Sequence, residues 1–219
     1  MNILVINGSP KGEKSNTLKI TNAFIDGINN VGNHLIEIII VSQKSIEPCR
    51  GCFCCWEKTP GRCVIVDDMS GILEKYIKVD LVIWSFPLYY FGIPSKTKAL
   101  MDRLLPNNLP NIVSTVEGSA MHPQRHNLQN QRHILMSTCG FFTTQNNYEA
   151  LVTQFEILFG NHLTKILCPE GELFRIPQLE NRTGEYLSYV IQAGKEYIQQ
   201  GFFSDGTREK LNEPLYPPE

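Results

Sequence analysis

The sequence predicts an α/β fold in which helices cover both faces of a five-stranded parallel sheet. Five short hydrophobic runs alternate with segments whose apolar residues recur at helical spacing. Because right-handed crossovers join such strands and helices, the strands run parallel and are buried on both sides. The chain has 219 residues, 42% hydrophobic and 19% charged, which is typical of a globular protein. We expect one domain over residues 1–200 and an extended C-terminal tail over residues 201–219.

Three strands and three helices are predicted in the first half of the chain. Residues 2–7 form an aliphatic strand, and the next helix begins at Ser15 and ends at Gly32. A second helix begins at Asp67, where acidic residues favour the positive end of the helix dipole, and continues to about Lys78. The other elements are a strand over 34–41, a strand over 81–86, and a helix that starts at Pro94 and is stopped by Pro106.

The second half begins with an irregular segment and then returns to the alternating pattern. Residues 107–131 are polar, with a short hairpin expected around Glu117 and Gly118. A sheet of this kind binds ligands beyond the carboxyl ends of its strands, where the strand order reverses. Functional residues are therefore expected in the loops that follow strands. The last elements are a strand over 133–138, a helix over 146–160, a strand over 163–168 and a helix over 181–200.

Charge and cysteine content exclude some partners and indicate a compartment. The chain has 20 Lys and Arg residues against 22 Asp and Glu residues without a block of like charge, so no nucleic-acid partner is expected. Residues 1–8 lack the basic start and long apolar run of a signal peptide, and no apolar stretch is long enough to span a bilayer. No membrane partner is therefore expected. Seven cysteines without a leader indicate a reducing compartment, and we expect a cytoplasmic protein.

The loop after the first strand has the composition of an anion-binding loop. It runs from Gly8 to Thr17 directly into a helix, so its glycines let the backbone fold closely around an anion that the free amides face. Neither common nucleotide-binding glycine motif is present. The alternative is an ordinary helix start, capped by Ser15 or Asn16, with nothing bound. The candidate phosphate ligands are Ser9, Lys11, Ser15, Asn16 and Thr17.

The loops after the third and fourth strands suit the wall of a site for a flat ring. The first of them is apolar and aromatic between two prolines, which fits the face and edge of a heterocycle. A loop folded onto the core and a contact between subunits are the alternatives. In the second, a glycine lets a ring approach the main chain, and the cysteine beside it favours packing over a nucleophilic role. The candidate ring-binding residues are Pro87, Leu88, Tyr89, Tyr90, Thr138, Cys139 and Gly140.

Five of the seven cysteines lie in one short segment, residues 49–63. Four of them have the spacing C-x2-C-x2-C-x7-C, which can direct thiolates at one metal centre or iron–sulfur cluster. Four thiolates also satisfy a tetrahedral zinc site. A third possibility is that all the thiols are free and that Phe53 and Trp56 pack at an interface. The candidate metal ligands are Cys49, Cys52, Cys55 and Cys63.

Together, these segments resemble the flavodoxin-like, NAD(P)H-dependent FMN reductase superfamily of multimeric flavoproteins. The resemblance spans residues 1–168 and implies a flavodoxin-like three-layer fold with the FMN phosphate in the first loop. It places the isoalloxazine ring against the other two loops, where backbone amides around 88–90 and 138–140 tune the ring. It also implies NAD(P)H as reductant and a homodimer or homotetramer. The matching segments are Gly-Ser-Pro and Ser-Asn-Thr within 8–17, Pro-Leu-Tyr-Tyr at 87–90, Lys-Ala-Leu-Met-Asp-Arg at 98–103 and Ser-Thr-Cys-Gly at 137–140.

The cysteine segment is similar to that of archaeal and clostridial iron–sulfur flavoproteins, where the four cysteines hold a [4Fe–4S] cluster that passes single electrons to FMN. The chain departs from the tightest form of the pattern in its last gap of seven residues and in the additional Cys54 and Trp56. The expected function is an FMN-dependent oxidoreductase that passes electrons from NAD(P)H to a quinone, nitro, azo or other small-molecule acceptor, without a catalytic side chain. The alternative is an iron–sulfur electron carrier that exchanges electrons with ferredoxin.

Overall fold

A five-stranded parallel sheet lies at the centre of the computed structural model, which describes residues 1–115 and 118–216. The strands of the chain are β1 (Asn2–Asn7), β2 (Leu35–Ile40), β3 (Leu81–Pro87), β4 (Val113–Ser114), β5 (Ala120–Met121), β6 (Arg132–Thr138) and β7 (Leu163–Cys168). The sheet has the order β2-β1-β3-β6-β7, and every neighbouring pair is parallel. The order reverses between β1 and β3, as in flavodoxin-like sheets. The predicted fold class is thus confirmed.

Helices cover both faces of this sheet, because side chains along each strand alternate between two apolar layers. In β1, Ile3 and Val5 pack in one layer with residues of the first and sixth helices, whereas Leu4 and Ile6 pack in the other. The helices are α1 (Asn16–Asn29), α2 (Cys54–Glu57), α3 (Met69–Tyr76), α4 (Ser95–Asp102), α5 (Glu149–Phe159), α6 (Glu180–Gln200) and α7 (Asp205–Asn212).

Two glycines let the backbones of α1 and α6 touch. A Cβ atom on Gly194 would lie 2.2 Å from the carbonyl oxygen of Phe24, and one on Gly27 would lie 2.0 Å from that of Ile191. Real side chains do not tolerate such distances. The close packing of α1 against α6 therefore requires glycine at both positions.

The prediction of an extended tail over residues 201–219 is wrong for residues 205–212, because these residues form α7. Ser204 caps this helix by accepting a hydrogen bond from the Thr207 amide at 3.3 Å. Leu211 and Leu215 are buried in the same apolar layer as β1 and α6, which holds the segment against the domain. Residues 217–219 of the predicted tail lie outside the described residues. The division of the chain at residue 200 stays a prediction.

The irregular segment before β6 contains the expected hairpin. Val113 pairs with Met121 and Ser114 with Ala120 in an antiparallel ribbon, while Glu117 lies outside the described residues. None of the helices formed within residues 1–115 and 118–216 combines the length and the apolar character needed to cross a membrane.

Candidate functional site

The three predicted ligand loops meet at the carboxyl edge of the sheet, beside the switch point between β1 and β3. Gly8 N donates to Ser85 O at 2.8 Å, which fixes the first loop to β3. Thr138, at the start of the third loop, contacts both of the others. Its hydroxyl lies 2.6 Å from that of Thr17 in the first loop, and its carbonyl oxygen accepts from Leu88 N of the second loop at 2.8 Å. The loops are thus hydrogen-bonded to one another.

The first loop combines a helix cap with a set of free donors. Ser15 Oγ accepts from Leu18 N at 3.2 Å, which confirms the capping role. Helix geometry leaves the amides of Asn16 and Thr17 without an acceptor inside α1. Ser9 Oγ accepts from the backbone at 3.3 Å, so the hydroxyl protons of both serines remain available to an anion.

Other predicted phosphate ligands are committed to the protein itself. Asn16 Nδ2 donates to Gly171 O at 2.8 Å, and Thr17 is paired with Thr138. Lys11 Nζ lies 3.0 Å from Glu172 Oε1 on the surface. The charge of Lys11 is therefore neutralised by a carboxylate of the chain. Among the predicted phosphate ligands, the donors left to an anion are therefore amides and hydroxyls.

The second loop is a tight turn that presents aromatic side chains. Tyr89 and Gly92 exchange two backbone hydrogen bonds, at 2.9 and 3.1 Å. Tyr90 and Phe91 between them have φ angles of 51° and 62°, a left-handed conformation that is costly for residues other than glycine. Phe91 stacks on Phe141 at a centroid distance of 5.7 Å, whereas Tyr90 is fully exposed. Strain at such positions is characteristic of functional sites.

The third loop is anchored through Cys139. Its amide donates to Cys168 O at 3.1 Å, and its carbonyl oxygen accepts from Gly171 N at 2.7 Å. The thiol is buried, which raises its pKa and keeps it protonated. The side chain therefore packs in the core, as the sequence favoured.

The prediction that amides around 88–90 and 138–140 tune a ring is only partly compatible with this geometry. The amides of Leu88, Tyr89 and Cys139 already donate to backbone carbonyls. Backbone amides in strands and tight turns are normally already hydrogen-bonded to backbone carbonyls. Within the described residues, the amides of Tyr90 and Gly140 make no hydrogen bond and remain available.

All four predicted metal-ligating cysteines line one cavity. Cys49 and Cys52 are exposed, Cys63 is half-buried and Cys55 is buried. Burial and the adjacent Cys63 raise the pKa of the Cys55 thiol. No three Cys, His, Asp or Glu side chains in the described ranges are already arranged around a common metal position. The cavity therefore gathers the thiols without setting a coordination geometry.

A buried ion pair between Arg103 and Asp67 closes this cysteine segment, whereas the sequence had indicated only a helix-dipole role for Asp67. The Arg103 side chain is 1% exposed and that of Asp67 3%, and two N–O contacts of 2.9 Å join them. Arg103 also donates to the carbonyl oxygens of Glu47 at 2.7 Å and Ile65 at 3.4 Å. It thereby holds both ends of the segment. Burial alone would raise the pKa of Asp67, but hydrogen bonds from Arg103 and backbone amides hold that pKa below its usual value.

Arg103 also faces the cysteine cavity. Its guanidinium lines the cavity beside Cys63, and its Nε is buried without a partner in the described residues. Burial opposes a charge here, yet Asp67 and the Cys63 thiol raise the pKa of the guanidinium, so it stays charged. A buried cation with a spare donor, in the same cavity lining as four thiols, suits an anionic group held by thiolates.

The aromatic residues of the segment pack within this chain. Phe53 stacks on Trp56 at 5.1 Å, and Trp56 contacts His122 at 4.8 Å between ring centroids. Trp56 Nε1 donates to Asn108 O at 3.0 Å. These contacts hold α2 against residues on both sides of the small hairpin, Asn108 before it and His122 after it.

Two sets of known proteins are similar to this chain. Its residues 1–160 match the family described as flavodoxin-like fold. An iron–sulfur flavoprotein of Methanocaldococcus jannaschii is 36% identical over 108 residues, which cover 48% of this chain and 53% of the relative. One of Archaeoglobus fulgidus is 34% identical over 103 residues, which cover 47% and 48%. The match thus spans about half the length of these curated relatives.

Solved structures share the fold at lower identity. An FMN-dependent NADH-azoreductase from Bacillus anthracis, solved in complex with FMN, has a TM-score of 0.63 and 17% identity over 92% of this chain and 99% of its own. An NAD(P)H:quinone oxidoreductase from Methanothermobacter marburgensis has a TM-score of 0.64 and 14% identity over 90% and 96%. With the sheet order described above and the match over residues 1–160, the chain belongs to the family of flavodoxin-like folds.

Proposed function

We propose that this chain is an FMN-dependent oxidoreductase, which takes electrons from NAD(P)H and passes them to a small acceptor such as a quinone, nitro or azo compound. The observation that carries the proposal is the joining of the three strand-end loops at the switch point by Thr138, through Thr17 and Leu88. Parallel sheets bind ligands at this place. The names of the azoreductase and quinone oxidoreductase with the same fold support it.

The first loop fits the phosphate end of FMN. The amides of Asn16 and Thr17, at the positive end of α1, and the hydroxyls of Ser9 and Ser15 supply donors without net charge. Because Lys11 is paired with Glu172, we assign the phosphate to these neutral donors. The buried position of both serines holds them in place before binding.

The second and third loops fit the ring. The stacked pair Phe91 and Phe141 forms one aromatic wall, and the free amides of Tyr90 and Gly140 are the donors available to ring heteroatoms. When bound, FMN supplies hydride and single-electron chemistry, and the chain supplies position and a shaped, partly dry surface. We assign no side chain as acid or base. We further propose a homodimer or homotetramer that works in the cytoplasm.

A second candidate function is an iron–sulfur flavoprotein that carries electrons to or from ferredoxin. The specific observation in its favour is that Cys49, Cys52, Cys55 and Cys63 line one cavity together with Arg103, whose Nε has no partner in the described residues. The four cysteines would hold a [4Fe–4S] cluster, and Arg103 would offset part of its negative charge. The names of the curated relatives support this candidate.

Anaerobic purification separates the two functions. We would measure iron, acid-labile sulfide, zinc and flavin per chain, and then follow the visible spectrum after addition of NADPH or NADH. One flavin per chain, bleached rapidly by NAD(P)H without iron, supports the reductase and excludes the carrier. About four irons per chain with no NAD(P)H oxidation excludes the reductase. Stoichiometric zinc without sulfide would exclude the cluster.

A further inference from the structure

A second cavity lies beside the cysteine cavity and is separate from all three strand-end loops. Its volume is about 570 Å³, and it lies between α3, the loop around Arg62 and the segment containing Asn107 and Arg125. Small-molecule sites typically have volumes of roughly 300–1,000 Å³. Cys63 lines both cavities, so the two share a wall. We refer to this second cavity as the Arg62–Arg125 pocket.

The pocket concentrates positive charge that the chain does not neutralise. Neither Arg62 nor Arg125 forms a salt bridge with any described residue. Arg125 bonds only to carbonyl oxygens, with Nε 3.1 Å from Pro106 O. His126 also lines the pocket, and Glu74 is the acidic residue in its lining. The lining thus carries two arginines against one glutamate, in a chain whose net charge is −2.

An unpartnered donor lies in the wall of the same pocket. Asn107 is 6% exposed, and its Nδ2 is buried without a hydrogen-bond partner in residues 1–115 and 118–216. Buried amide groups are nearly always hydrogen-bonded. An unpaired one in the same lining as Arg62 and Arg125, neither of which has an acidic partner, therefore points to an acceptor atom that comes from outside the chain. A carboxylate offers acceptor oxygens of the right number and charge.

We propose that the Arg62–Arg125 pocket binds a small organic acid. Its carboxylate pairs with the two guanidiniums and accepts from Asn107 Nδ2, and its apolar body packs against Leu73 of α3 and against Ile77, which directly follows that helix. The proposal is independent of the FMN assignment, because the pocket contains none of the residues assigned to FMN. A bound acid would contact Cys63 and hence the wall of the cysteine cavity.

Calorimetric titration of the full-length protein with benzoate and benzamide tests the proposal, because the two probes share a ring and differ in charge. We expect benzoate to bind at least tenfold more tightly, which corresponds to about 1.4 kcal/mol. Arg62→Gln and Asn107→Leu should each weaken benzoate binding about tenfold. Asn107→Leu removes a donor that has no partner in the folded chain, so the fold should persist. Arg208→Gln, a change at an exposed arginine of α7, is the matched control and should have no effect.

Tryptophan emission gives a second readout that does not depend on enzyme activity. Trp56 Nε1 and Arg125 Nη2 both donate to Asn108 O, at 3.0 and 3.5 Å. Benzoate should therefore shift the emission of Trp56, and Trp56→Phe should abolish that shift because the remaining Trp84 is buried in the core.

Three results would overturn the proposal. The first is equal binding of benzoate and benzamide, or no heat from either probe at about 10 mM, a concentration that detects even weak sites. The second is an effect of Arg62→Gln and Asn107→Leu no larger than that of Arg208→Gln. The third is tighter binding of inorganic phosphate than of benzoate, which would replace the carboxylate with a phosphate ligand.

Discussion

Replacing Arg103 with Met should destabilise the fold strongly, because it removes the cation that holds both ends of the cysteine segment. Asp67 would remain 3% exposed without its bidentate partner. Removing one partner of a buried ion pair costs about 3–5 kcal/mol. Asp67 would keep the amide donors of Glu47 and Met69, at 2.9 and 3.0 Å, which favours the lower end of this range. At about 2–4 °C per kcal/mol for a chain of this size, Tm should fall by roughly 10 °C.

Thermal and urea unfolding followed by circular dichroism measure this loss. Lys98→Gln is the matched control, because it breaks an exposed pair with Asp102, for which about 0.3–0.5 kcal/mol is expected. The double variant Arg103→Met with Asp67→Asn should recover part of the loss, since no unpaired charge stays buried. Arg103→Met should also speed the reaction of Cys55 with a thiol reagent, because Arg103 no longer holds Glu47 and Ile65.

The pH dependence of stability should have opposite signs in the wild-type chain and in Arg103→Met. In the wild-type chain the pKa of Asp67 is below its ordinary value of 3.8, despite burial, because of Arg103 and the amides. The stabilisation that the ionised Asp67 gives to the fold is therefore present above pH 3.8 and is lost as the pH falls through the lowered pKa. In Arg103→Met, burial without the cation raises that pKa, so acidification from about pH 7 to about pH 5 should partly restore Tm. A Tm within about 2 °C of the wild type, with an unchanged pH dependence, would refute the reasoning.

Three further changes test other parts of the structure. Gly194→Ala places a methyl carbon 2.2 Å from a carbonyl oxygen of α1 and should lower the free energy of unfolding, measured by urea titration, by about 1–3 kcal/mol. Gly184→Ala in the same helix meets nothing within 4 Å and should raise the free energy of unfolding by about 0.5–1 kcal/mol. Tyr90→Gly relieves a φ of 51° at a fully exposed residue, so the free energy of unfolding should rise by about 1 kcal/mol. Glycine keeps the amide but no longer holds it in one conformation, so FMN, measured by fluorescence quenching, should bind more weakly. Cys63→Ser should lower iron per chain after anaerobic reconstitution and Cys54→Ser should not; equal iron in both variants would contradict the proposed ligand set.

The fold and the loops were predictable because their signals are local. The central strand Leu81–Pro87, for example, is a nearly continuous hydrophobic run that is buried on both faces, so its pattern can be recognised from the sequence alone. The parallel arrangement then brings the ends of β1, β3 and β6 to one edge. Gly8, Leu88 and Thr138 meet there for this topological reason.

The contacts that lock the loops were not predictable, because they join residues far apart in the sequence. Arg103 and Asp67 are 36 positions apart, and nothing near either residue indicates the other. Asp67 has the local signature of a helix start and does accept from Met69 N, so the capping interpretation was right but incomplete. Lys11 likewise lies in an anion-binding loop, yet it is paired with Glu172, 161 positions away.

Helix α4 connects the two candidate sites. In its first turn, Thr97 Oγ1 donates to Gly8 O at 3.1 Å, and a Cβ atom on Gly8 would lie 2.0 Å from that hydroxyl oxygen. Arg103 directly follows its last residue and clamps Asp67. Six residues at about 1.5 Å each separate these contacts by roughly 9 Å. A displacement of α4 should therefore move the first strand-end loop and the cysteine cavity together. Whichever of the two proposed functions holds, α4 sets the spacing between the two candidate sites.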